Sequence, residues 1–224
     1  MQFSIEHAPV FTTLKVTLEK GESFKAEAGA MISMSTTINL EAKSSGKGVF
    51  GSLKAAVGGE SFFASLFTAE TGSGEIILGP GVPGDIMQMQ LSNQTIYAQA
   101  GAYLAGSPEL TLSTQGSAKA LFSGEGLFLS KISGTGVLFL NSYGAIYQKQ
   151  LAQGETYIVD TGHIVAFEET VTYRIKKAAK GIFSSLASGE GLVCEYSGPG
   201  KIWVQTRNIS ALAKMLQPFL PKGS

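Results

Sequence analysis

A chain of 224 residues with 17 basic and 17 acidic side chains has no net charge to draw it onto a phosphate backbone, which sets nucleic acid aside as a partner. Hydrophobic residues at 44%, charged residues at only 15% and 28 glycines exclude a disordered or coiled-coil chain and suit a turn-rich β protein with a sizeable core. One cysteine, Cys194, excludes an internal disulfide, and two histidines, His7 and His163, without a partner at ligand spacing exclude a histidine-built metal centre.

In chain order, the start from Met1 to His7 lacks the basic stretch and apolar run of a secretory signal. No apolar run approaches the ~18 residues of a membrane-spanning helix. A cytoplasmic protein without a membrane span is the expectation.

From Phe24 onward the sequence reads as one unit written three times, over about 24–86, 96–151 and 157–207. Each unit opens on a strand that runs into a glycine, in Ala26-Glu27-Ala28-Gly29, Ala98-Gln99-Ala100-Gly101 and Val159-Asp160-Thr161-Gly162. Next comes a short helix-compatible stretch, 53–57, 118–122 and 183–187, which predicts small helices covering strand edges. A Gly-Glu turn follows at Gly59-Glu60, Gly124-Glu125 and Gly189-Glu190, each 65 residues from the last.

Downstream of that turn, Gly72-Ser73-Gly74, Gly134-Thr135-Gly136 and Gly198-Pro199-Gly200 each sit between two apolar runs, as the tip of a β-hairpin does. The strands after them, Glu75 to Leu78, Val137 to Leu140 and Lys201 to Val204, are short and apolar. No copy of such length hides its apolar face alone, so the expectation is a single all-β domain, a pseudo-threefold sandwich or barrel of hairpin units. A terminal helix over 210–220, with Leu212, Met215, Leu216 and Phe219 at helical spacing and Asn208 or Ser210 as its cap, is expected to pack against it.

Chemistry is sparse. No Gly-x-Ser-x-Gly elbow, Walker loop or dinucleotide fingerprint occurs, and the glycines mark turns. Neither catalytic residues nor a cofactor are expected. Aligned on the Gly-Glu turn, Cys194 falls with Ala64 and Leu129, and Trp203 with Ile77 and Phe139, so both read as core. Glu60, Glu125 and Glu190 form the one set with a possible role, because symmetry-related turns can bring three carboxylates towards a common axis. The ordinary reading of a glutamate in such a turn is a backbone hydrogen bond or solvent. The basic run Arg174, Lys176, Lys177 and Lys180 reads as a solvated edge, and 178–183 mixes basic and apolar residues in a way that allows peripheral membrane contact.

The stretches from Ser123 to Leu129 and from Gly198 to Arg207 resemble the family named for altered inheritance of mitochondria protein 24, and the resemblance extends over essentially the whole chain. It implies a fold similar to the tryptophan RNA-binding attenuation protein, a tendency to form oligomers, and no enzymatic activity. An Arg-rich import presequence is missing at Met1 to His7, so the chain resembles a prokaryotic member. The functional expectation is a non-enzymatic assembly or scaffold protein, a homo-oligomer. The alternative is a small-ligand or carbohydrate-binding module with Glu125, Glu190 and Gln205 as polar contacts. A hydrolase or isomerase using paired carboxylates is a third class, which two close acidic side chains in one pocket would signal.

Overall fold

A computed structural model describes residues 1–44, 63–115, 129–177 and 192–220. The described chain is all-β apart from one short helix near its end. The first strands are β1 (Gln2–Glu6), β2 (Thr13–Leu18), β3 (Ser23–Glu27), β4 (Met31–Met34) and β5 (Ile38–Ser44). In β2 and β3 every second residue is buried, so Leu14, Val16, Leu18, Phe24 and Ala26 line one interior. Next come β6 (Phe63–Ala69), β7 (Gly74–Leu78), β8 (Ile86–Gln99), β9 (Tyr103–Gly106), β10 (Thr111–Gln115) and β11 (Leu129–Asn141). The last strands are β12 (Ile146–Leu151), β13 (Thr156–Asp160), β14 (Ile164–Glu168), β15 (Thr172–Lys177), β16 (Leu192–Ser197) and β17 (Gly200–Gln205).

Three sheets result. One has the order β1-β2-β7-β4; one runs β12-β17-β14-β8-β11-β9-β3-β6-β5, with β10 on β11; one is β13-β16-β15. The named strand pairs are all antiparallel. Their apolar faces form three clusters. Phe24, Phe67 and Phe139 anchor the first, Leu138, Leu140 and Trp203 the second, and Phe167, Cys194 and Tyr196 the third.

The Gly-x-Gly segments are not hairpin tips, which corrects the expectation. Strand β6 lies between β3 and β5, whereas β7 lies between β2 and β4, so the chain changes sheets at Gly72 to Gly74 instead of folding back. Gly134 and Gly136 sit within the continuous strand β11, where the register shifts between Gly134 and Thr135. Their φ angles of 128° and 146°, and Ser107 Cβ only 2.6 Å from where a side chain on Gly136 would begin, require glycine at that corner. The hairpin-like pairs are instead β5 with β6, β10 with β11 and β15 with β16. The stretches expected as short helices, 53–57, 118–122 and 183–187, lie outside the described residues.

Helix α1 (Ile209–Leu216) is capped by Asn208, whose side chain accepts from the backbone N–H groups of Ser210 and Ala211. It is shorter than the expected 210–220, because Pro218 cannot donate to the helix and the chain tightens into a 3-10 turn at Gln217–Phe219. The expected packing does not occur: no residue of α1 is buried. No described helix is long and apolar enough to cross a membrane.

Candidate functional site

Among the expected contact residues, Gln205 is described; Glu60, Glu125 and Glu190 lie outside the described residues. Gln205 ends β17 and closes a network of loops. Its side-chain nitrogen donates to the Gly162 carbonyl at 2.9 Å, and its Oε1 accepts from the Tyr143 backbone N–H at 2.9 Å. Its own carbonyl lies 2.8 Å from Nδ1 of His163. One residue thereby ties the β12 approach to the β13–β14 turn.

Asn141, at the end of β11, does the same one turn earlier. Its amide donates to the carbonyls of Gly101 and Ala102 at 3.2 and 3.3 Å. In the β13–β14 turn Asp160 accepts from the Gly162 backbone at 2.8 Å and from Asn208 at 3.4 Å. Asn208 packs so close to Gly162 that a Cβ there would fall 2.0 Å from its side chain.

These loops wall a cavity of about 350 Å³, bordered also by Glu27, Gln99, Ser142, Ile164 and the start of α1. Its described lining holds no cysteine, histidine or lysine, and one carboxylate, that of Glu27. Apart from Glu27, the arrangement offers neutral hydrogen-bonding groups. The paired carboxylates of the hydrolase reading do not occur in its described wall.

A second hollow, about 500 Å³, lies over β8, β12 and β17, with Met87, Met89, Ile146 and Trp203 beneath and Gln88, Gln90, Gln94 and Gln148 around it. Trp203 is only 7% exposed, so its ring packs in the core and offers no open stacking platform. That agrees with its reading as a core residue. Cys194 is fully buried, and burial pushes its thiol up to about 11, which keeps it protonated and unreactive at neutral pH.

The described part of the basic run lies on β15, an edge strand, with Arg174 exposed, as expected; Lys180 lies outside the described residues. Arg174 and Lys176 on β15 both grip Glu195 on β16, with Arg174 Nε at 2.6 Å from Oε1. Glu195 is itself almost buried, and the hydrogen bonds from Lys176 and Arg174 hold its carboxyl below the ordinary value. Sequence reasoning passed over Glu195 and Asn141, and read Asn208 as a helix cap without its bond to Asp160. The cross-strand register of Arg174 with Glu195 is the signal for the first. For Asn141 it is an asparagine at the end of an apolar strand.

Residues 3–207 match the family described as Mitochondrial biogenesis AIM24. The chain belongs to the AIM24 family. An uncharacterised protein from Streptococcus pyogenes serotype M6 is 33% identical over 233 residues, spanning 100% of this chain and 93% of its own. A crystal structure of a protein from Streptococcus pyogenes matches with a TM-score of 0.81 at 29% identity, over 98% of this chain and 99% of that one. The AIM24 match stops at Arg207, so helix α1 lies after the matched residues.

Proposed function

We propose that this AIM24 protein is a non-enzymatic assembly module of the cytoplasm, built as one domain from three related β units and working as a homo-oligomer. The observation that carries the proposal is apolar surface left without cover. Helix α1 and the turn after it present Ile209, Met215, Leu216, Phe219 and Leu220 to solvent, with Phe219 84% exposed. A monomer gains nothing from such a surface, whereas association buries it.

The threefold reading is supported by pairing that recurs. Strands β3, β6 and β5 form one ladder; the second half of β8 with the first half of β11 and β10 forms another; β13, β16 and β15 form the third. Likewise β2-β7-β4, the remaining halves of β8 and β11 with β9, and β12-β17-β14 are matching sets. Repeated two-ladder units joined edge to edge suit the attenuation-protein-like fold that the sequence resemblance implies.

Native mass spectrometry of the full chain at micromolar concentration tests the assembly reading. Oligomers are expected, and monomer throughout the concentration range overturns it. A second reading, a small-ligand module, draws on the 350 Å³ cavity, which falls within the range of small-molecule pockets. Under that reading a thermal-shift screen finds a stabilising compound whose effect disappears in Gln205→Ala.

A further inference from the structure

The three units are joined by strand edges, and two such joints lie within the chain. In the first, β9 of the second unit pairs with β3 of the first, Ala105 opposite Ala26 and Gly106 opposite Lys25. In the second, β14 of the third unit pairs with β8 of the second, Ala166 opposite Ala98 and Phe167 opposite Tyr97. A third joint of the same kind would bring β4 of the first unit to β13 of the third. Among the described residues β4 pairs with β7 alone and β13 with β16 alone.

The three strands β4, β9 and β14 correspond in detail. Each carries a register shift against its own unit's last strand, at Ile32, Leu104 and Val165 respectively. Joined strands are sealed: Leu104 is 0% and Val165 1% exposed. Ile32 is 61% exposed, and Met31 and Met34 beside it are also open to solvent. The opposite edge tells the same story. Strands β3 and the last five residues of β8 are buried at every second residue, whereas in β13 Thr156, Tyr157 and Ile158 are all exposed, Ile158 by 56%.

We propose that β4 of one copy pairs with β13 of another, in the antiparallel register of the two internal joints, so that Met34 meets Ile158 and Ser33 meets Val159. This rests on the assembly reading above and names its interface. Both edges lack the lysine or proline that blunts an unpaired strand: β4 is Met-Ile-Ser-Met and β13 Thr-Tyr-Ile-Val-Asp. The two edges are complementary because the same fold already joins their counterparts twice. A single chain holds both, yet leaves both uncovered, so the complement comes from a second copy. Such a contact is head-to-tail, and it propagates to a ring or a filament.

The test uses full-length protein with Cys194→Ser, adding Met34→Cys to one preparation and Ile158→Cys to another. Mild oxidation of the mixture is expected to give a disulfide-linked heterodimer that neither preparation forms alone. Ile32→Asp, an exposed site in the single chain, is expected to abolish the oligomer in native mass spectrometry while the far-ultraviolet circular dichroism stays unchanged. An oligomer that survives Ile32→Asp, with no mixed disulfide, overturns the edge joint and leaves the assembly reading standing. A double Met34→Cys, Ile158→Cys chain that closes its disulfide as a monomer overturns it in favour of an internal joint. A wild-type chain that is monomeric throughout removes both proposals.

Discussion

The cluster around Phe24 and the cluster around Tyr196 differ in chemistry. Phe24 on β3 stands opposite Phe67 on β6, as Tyr157 on β13 stands opposite Tyr196 on β16. In the first cluster Phe3 packs 5.3 Å from Phe24 and 5.1 Å from Phe139, and the cluster's members are aliphatic or phenylalanine. In the other, Phe167 is ringed by Tyr97, Tyr173 and Tyr196, and the buried Tyr196 hydroxyl has no hydrogen-bond partner among the described residues. On the far face of β16, Glu195 holds its two cations. Burial of apolar area is the whole basis of the first cluster; the other also carries groups whose protonation and satisfaction matter.

The sharpest way to break this contrast is at Phe139, which is fully buried where three rings meet. Phe139→Ala is expected to lower the unfolding free energy by about 3–5 kcal/mol in urea titrations. A loss below ~1 kcal/mol would mean that the rings are not the anchor.

At the other cluster the expected signature is in pH. The carboxyl of Glu195 lies below its ordinary 4.5 because Lys176 and Arg174 hydrogen-bond to it. Its stabilising contribution is therefore complete above pH 4.5 and is lost as the pH falls through the lowered folded value. Melting temperatures of wild type and Glu195→Gln should lie apart at neutral pH and converge on acidification. Parallel curves would show that the pairing contributes nothing.

A smaller change of opposite sign is expected at Tyr196. Removing its orphaned hydroxyl in Tyr196→Phe should stabilise the chain by about 1 kcal/mol, since a buried unpaired polar group is being taken away. Destabilisation would place a partner on that oxygen. Smallest of all, alkylation of Cys194 should be slow in folded protein and fast in denaturant, because the thiol is sealed and its ionisation suppressed. Equal rates in the two conditions would show that the third cluster opens.

The β class was legible because alternation in stretches such as Thr13 to Leu18 is a local signal, written directly into burial. Trp203 also read correctly as core. Cys194 did so as well, being fully buried in the third cluster. A glycine corner and a hairpin tip demand the same positive φ angles, so Gly134 and Gly136 could not tell a change of sheet from a reversal. Apolar spacing in α1 announced an amphipathic helix without saying what would cover it. The network at Gln205 was hidden for another reason. Tyr143 and Gly162 lie 62 and 43 residues away in the chain, and no local pattern links them.

Strands β8 and β11, of 14 and 13 residues, bend through two layers each and pair along most of their length. They act as a pair of shared ribs, contributing Phe139 to one interior, Leu138 to the next and Leu129 to the last. Heat that loosens any one interior must also pull on the ribs that wall the other two. Three separate greasy centres should thus melt as one, with a calorimetric trace of a single peak.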